Sequence, residues 1–315
     1  MRIILNSWAR SGCANRLRTL AVLLIACAPA VSGCAATSRR ADGGRVRVVA
    51  AEGFWADLAR QVAGPDAGVT AIITNPDTDP HDYEPTPDDA RAIASARLMI
   101  ENGVGYDPCA QQLVAADGGA GPEVLNVGDV LGIPSGGNPH QWYSRAAVRA
   151  FVDRVARELG TLDPAHRALY DARRRTLLAT GLAKYTSLIA QIRRQYAGTP
   201  IGGSESIVSV LASTLGLRLV TPPSFVNAVA EGNEPTASDK ATVDEQIRRR
   251  AIRVFVFNSQ NATPDVQRLV DDARRARIPV VSVTETLVPA SATFQAWQAR
   301  QFVDILRALA KARAA

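Results

Sequence analysis

The chain has 315 residues, 47% of them apolar, which is length and core material for two domains of ordinary size. Its formal charge of +6 shrinks once residues 1–33 are set aside, because that stretch holds four arginines and no acid and its removal leaves +2. With no Lys/Arg block interleaved with aromatics, nothing points to nucleic acid. Of the four cysteines only Cys109 lies beyond position 34, which excludes a disulfide framework or a thiolate metal cluster.

Residues 1–34 read as a targeting segment. Arg16 and Arg18 precede the apolar run Leu20–Ala26, which is too short to span a bilayer, and small residues follow it. Val31-Ser32-Gly33-Cys34 resembles a bacterial lipobox, in which the cysteine is lipidated and becomes the new N-terminus. Plain signal-peptidase cleavage, with Cys34 incidental, is the alternative. A lipid on Cys34 would anchor the protein to the cell membrane without spanning it. Residues 35–44 are small and polar, a flexible tether.

Val46–Ala51 is a β-branched first strand, and Phe54, Leu58 and Val62 follow at helical spacing. After the turn Gly64–Gly68, Val69–Thr74 is a second strand. It leads into Asp79-Pro80-His81-Asp82-Tyr83-Glu84-Pro85-Thr86-Pro87, where prolines fix their own φ and restrict the residue before them. Residues 88–96 predict a helix, Leu98–Gly103 a strand and its exit, and Val124–Val127 a fourth strand. A glycine- and proline-rich loop then reaches Asn138-Pro139-His140-Gln141-Trp142. From Ala165 to Tyr196 there is no proline, and apolar residues recur at spacings of three, four and seven. Asp163-Pro164 supplies the start and Gly198 and Pro200 the stop. This predicts one helix of about 32 residues, about 48 Å long, a strut rather than a coiled coil because no heptad is sustained.

The second half repeats the first in kind. Thr199–Gly203, Leu217–Thr221, Ile252–Phe257 and Val280–Val283 are strands. Ser206–Leu215, Ala241–Arg250, Thr263–Arg277 and Thr293–Ala312 are helices, and Ala228–Ser238 is a polar loop. Strands alternating with helices predict an α/β fold: two lobes, each a parallel sheet sandwiched by helices, joined by the long rigid helix. The expected divisions are 1–34 signal, 35–44 tether, 45–160 first lobe, 161–197 strut and 198–315 second lobe.

Four polar side chains stand at carboxyl ends of predicted strands, the edge where open α/β sheets bind ligands. They are His81, His140, Glu205 and Glu285, two from each half. Two imidazoles and two carboxylates suit a divalent transition metal. Each also has a structural reading. The histidines could bond to loop backbone, Glu205 could charge the N-terminus of the helix from Ser206, and Glu285 could be an exposed loop acid. His166, in the first turn of the strut, reads as a surface residue, and Cys109 as a small, partly buried one.

The Asp79-Pro80-His81 and Tyr83-Glu84-Pro85-Thr86-Pro87 stretch, with Asn138-Pro139-His140-Gln141-Trp142, resembles signatures of the metal-specific solute-binding proteins of bacterial ABC importers, cluster A-I. The resemblance covers about residues 45–315, strut included. It implies His81 and His140 as the ligands of the first lobe, Glu205 at a position that is histidine or glutamate in the family, and Glu285 where aspartate is more usual. Phe225, Ala228, Glu231, Glu234 and Pro235 match a loop of some members. Tyr143-Ser144-Arg145 departs from the usual aliphatic residue followed by Asp-Pro. Residues 75–79 are too short to replace the His/Asp-rich loop of many zinc members.

What the resemblance implies is a monomeric, extracytoplasmic lipoprotein that is not an enzyme. It would carry Mn²⁺ or Zn²⁺, with Fe²⁺ a further option, to a membrane permease. Two carboxylates each binding through both oxygens would favour Mn²⁺, whereas the Irving–Williams order favours Zn²⁺. A metal-dependent hydrolase using the same site and a surface adhesin are the alternatives from other functional classes.

Overall fold

The computed structural model describes residues 44–116 and 121–314. The expected signal segment, Cys34 and the tether up to Gly43 lie outside these residues. In chain order the first half contains β1 (Val46–Glu52), α1 (Gly53–Ala63), β2 (Ala67–Ile73), α2 (Pro87–Ser95), β3 (Leu98–Glu101), α3 (Pro108–Ala116), β4 (Glu123–Asn126), α4 (Val127–Leu131) and α5 (Arg145–Leu162). The linking segment is α6 (Arg167–Thr176), a π turn (Leu177–Gly181) and α7 (Ala183–Tyr196). The second half contains β5 (Pro200–Gly203), α8 (Ile207–Leu215), β6 (Arg218–Leu219), α9 (Pro223–Ala230), α10 (Ala237–Arg248), β7 (Val254–Asn258), α11 (Pro264–Arg275), β8 (Val280–Val283) and α12 (Phe294–Ala314).

Two four-stranded sheets result, ordered β2-β1-β3-β4 and β6-β5-β7-β8. Every pairing in both is parallel. The α/β, two-lobed architecture expected from the alternation of strands and helices is therefore present. Strands interior to such sheets are covered on both faces, which is why β1, β3 and β7 read as near-continuous apolar runs. Helices α3 and α5 occupy stretches to which the strand-and-helix reading assigned nothing. Helix α9 takes in the start of the expected polar loop at Ala228.

The linking rod is helical from Arg167 to Tyr196 but not α-helical throughout. At its centre Leu182 N–H bonds the carbonyl of Leu177, five residues back, at 2.8 Å. Residues five apart sit about 140° around a regular helix, so the wider turn re-phases the apolar stripe. Tyr170, Leu177, Leu182, Tyr185, Leu188, Ile189 and Ile192 are thereby all buried.

One hydrophobic core runs under both sheets, from Val48 and Ile100 to Val254 and Val283. Aromatic rings form its seam. Phe54 of α1 lies 4.4 Å from Trp142 and stacks at 6.2 Å on Trp297 of α12. Polar contacts flank the rings. The Tyr143 hydroxyl lies 2.7 Å from Gln301 Oε1 and 2.9 Å from the Thr284 carbonyl, and Trp297 Nε1–H donates to Thr284 Oγ1 at 2.8 Å. On the α1 side, Asp57 accepts the Phe294 N–H at 2.8 Å.

Truncating this seam tests its weight. Trp297→Ala removes a buried indole and its hydrogen bond, and should cost about 3–5 kcal/mol in denaturant unfolding, as large aromatic deletions in cores do. A loss below about 1 kcal/mol would mean the halves do not depend on the seam.

Candidate metal centre

His81 is placed by local chemistry. Pro80–Asp82 form a single 3₁₀ turn, and Asp79 Oδ1 accepts the His81 N–H at 2.9 Å. Just downstream, Thr86 and Asp89 cap α2 reciprocally, so the proline-rich loop is fixed at its far end as well. His140 is held more tightly. Asn138 Oδ1 accepts both its N–H (3.0 Å) and its Nδ1–H (2.9 Å), and Asn138 Nδ2 donates across to the Ser206 carbonyl at 2.7 Å. Burial, and then the neighbouring His81, lower the His140 pKa to about 3, so the ring is neutral at any physiological pH. With Nδ1–H donated to Asn138, Nε2 keeps its lone pair, the form that ligates metals. That Nε2 lies 3.9 Å from Glu285 Oε2.

Between the histidines stands Tyr106, fully buried. His81 and His140 pack edge-on against its ring at 4.8 and 5.9 Å, and its hydroxyl donates to Glu285 Oε2 at 2.9 Å. Glu285 follows β8 and Glu205 follows β5. Asn258 ends β7, the strand between them, so the sheet order itself sets an amide between two carboxylates. Asn258 Nδ2 donates to Glu205 Oε1 (3.0 Å) and Glu285 Oε1 (2.6 Å), and Asn261 Nδ2 donates to Glu205 Oε2 (2.9 Å). Burial raises the pKa of both acids; Glu205 is raised further by the nearby Glu285, while the donors around each act against the rise.

The fold thus brings His81, His140 and Glu285 together, each offering a ligand atom within 4.8 Å of the others. Glu205 is not in that close set. It stands one amide away, joined through Asn258. Above the site opens a cleft of about 530 Å³, lined by Asp79, His81, His140, Ser206, Glu231 and Asn261 among others. His166 lies apart from it, paired with Asp163 Oδ2 at 2.7 Å. Cys109 is a buried free thiol. The residue-by-residue reading did not single out Tyr106, Asn258 or Asn261. Asn258 did carry the signal used for the other four, a polar residue at the carboxyl end of a strand.

Glu52 and Asp107 form a second acidic feature. Glu52 ends β1 with both carboxyl oxygens buried and without an N–H donor. The charge that acts on it is that of Asp107, which accepts the N–H groups of Asn102 (2.7 Å) and Gly103 (2.9 Å). Burial, and then the Asp107 charge, drive the Glu52 pKa well upward, which favours the neutral carboxyl.

Three comparisons bear on this arrangement. The profile of the family described as ZnuA, zinc-uptake complex component A, periplasmic, matches residues 48–308; the chain belongs to that family. The iron-binding protein YfeA of Yersinia pestis is 28% identical over 178 residues, 52% of this chain and 55% of that protein. The manganese-binding lipoprotein MntA of Halalkalibacterium halodurans is 28% identical over 156 residues, 48% of this chain and 51% of that protein. The match therefore spans about half the length of these two relatives. A solved periplasmic metal-binding protein from Candidatus Liberibacter asiaticus shares the fold at a TM-score of 0.69, with 19% identity, covering 84% of this chain and all of that one (100%).

The Glu52 pair yields a pH test. An acid that is protonated when folded and ionised when unfolded makes folding take up a proton. Its contribution is full below about pH 4.5 and is lost as pH rises towards the elevated folded pKa, by up to about 1.4 kcal/mol per pH unit. Glu52→Gln keeps the size and polarity of the side chain without that linkage. Its unfolding free energy should fall less steeply than the wild type's between about pH 5 and 8, measured by denaturant titration at each pH. Equal slopes would mean Glu52 is not protonated.

Proposed function

We propose that this member of the periplasmic zinc-uptake component family is the extracytoplasmic binding protein of an ABC importer. It captures a divalent transition metal between its two halves and delivers it to a membrane permease. The observation that carries this reading is the convergence of His81, His140 and Glu285 from both halves within 4.8 Å. His81, His140 and Glu285 would hold the ion, with Glu205 as the fourth ligand. Imidazole nitrogens and buried carboxylates suit Mn²⁺ or Zn²⁺ as cargo, with Fe²⁺ a further option. The names of the relatives, iron-binding and manganese-binding, support the same group of metals.

Transport rather than hydrolysis fits the description of the family as an uptake component. The protein acts as a monomer held at the cell membrane by lipid on Cys34. Among the described residues no helix is long and apolar enough to cross a membrane. Release proceeds by a modest shift of Glu205 and Glu285, because the aromatic seam and the continuous core resist a wide swing of one half against the other.

Metal content and competition titration with Mn²⁺, Zn²⁺ and Fe²⁺ test the site. The wild type should bind one equivalent, and the His81→Ala/His140→Ala double variant should lose it; full stoichiometry in that variant overturns the assignment. Because folding raises the pKa of Glu205 and Glu285, protons compete with the metal. Affinity should fall as pH drops from about 8 to 5.5, by up to about tenfold per unit for each proton displaced. A flat profile in isothermal titration would show that neither acid ligates. Cys34→Ala should move the protein from the membrane fraction to the soluble one.

A further inference from the structure

Asn258 is the residue in contact with both carboxylates, and its own orientation is fixed. It is fully buried, its N–H donates to Ser204 Oγ at 3.1 Å, and its Oδ1 accepts the Gln260 N–H at 3.0 Å. That last bond determines which end of the amide faces the acids: a flip would set Oδ1 against two carboxylates. The same short segment secures the surroundings. Gln260 Oε1 accepts the Glu285 N–H (2.6 Å) and the Thr286 N–H (3.1 Å), while Asn261 Nδ2 reaches both Glu205 Oε2 and the Val229 carbonyl (3.2 Å). Residues 258–261 therefore reach the surroundings of both acids.

The consequence concerns how many oxygens the site can offer. Glu285 Oε1 is bound by Asn258 and Oε2 by Tyr106; Glu205 Oε1 is bound by Asn258 and Oε2 by Asn261. Each donor occupies lone-pair capacity on its oxygen and draws charge from it. A metal that grips either carboxylate through both oxygens must compete with a charge-assisted hydrogen bond on each. One that takes a single oxygen per carboxylate loses less. Mn²⁺ favours high oxygen coordination, whereas Zn²⁺ is content with four ligands.

Resting on the metal-binding reading above, we propose that Asn258, assisted by Asn261, is a positioning residue that sets metal preference. By clamping Glu205 and Glu285 it holds the site to low coordination number, favouring Zn²⁺ and disfavouring Mn²⁺. This amends the expectation that two carboxylates chelating through both oxygens would favour Mn²⁺.

The test compares wild type, Asn258→Ser and Asn261→Ser by competition titration of Zn²⁺ against Mn²⁺, and by the visible absorption of the Co²⁺-loaded proteins. Four-coordinate Co²⁺ absorbs far more strongly than six-coordinate Co²⁺. Asn258→Ser should raise the Mn²⁺-to-Zn²⁺ affinity ratio by about tenfold, the size of one hydrogen bond to a charged group, and weaken the Co²⁺ absorption. Asn261→Ser, which frees one oxygen of Glu205, should move both in the same direction by less; it decides the matter if Asn258→Ser does not fold. An unchanged ratio and spectrum, or equal weakening of both metals, overturns the proposal. A wild type that binds none of these metals overturns the underlying site assignment instead.

Discussion

Two carboxylates buried on one sheet edge are the constraint around which the second half is arranged. Glu205 and Glu285 are nearly inaccessible, and like charges in such a place are costly unless hydrogen bonded or neutralised. Asn258, Asn261 and Tyr106 provide the hydrogen bonds. A divalent cation would provide the neutralisation. Without it, protons fill part of that role, which is the physical meaning of the raised pKa values. The proposed capture of metal and the electrostatic need of the fold are thus two sides of one arrangement.

The first half meets this edge with groups tuned the opposite way. His140 is kept neutral by burial, and its free nitrogen faces Glu285. Tyr106 touches both imidazoles and also bonds Glu285, so one side chain indexes the two halves against each other at the site. In the same half, burial and the Asp107 charge favour the neutral form of Glu52. The aromatic seam of Phe54, Trp142 and Trp297 then fixes the distance across which these groups meet. A frame fixed in this way is a different device from a hinge that closes widely.

Much of this was legible from the order of residues. β-Branched runs such as Val46–Ala51 and Ile252–Phe257 mark strands because parallel sheets bury both faces, and the strand ends then pick out His81, His140, Glu205 and Glu285. Some of what escaped had no clear periodic signature, since helix α3 is short and weakly patterned. Other features did carry a signature: α5 has Val148, Phe151, Val155, Leu159 and Leu162 at helical spacing behind the Ser144 cap, and Asn258 stands at a strand end. The π turn at Leu177–Gly181 is invisible to a count of apolar spacings, since it is the turn that makes the imperfect spacing fit.

The sequence by itself determined the fold class, the alternation of strands and helices, and which two histidines and two acids stand at strand ends, because local periodicity and chain punctuation encode those. Only the tertiary structure decided which of them meet. Strand order put β7 between β5 and β8, and with it Asn258 between Glu205 and Glu285. Glu285 meets the histidines there, while Glu205 stays one amide away. Pairing order depends on contacts far apart in the chain, so no local pattern could carry it.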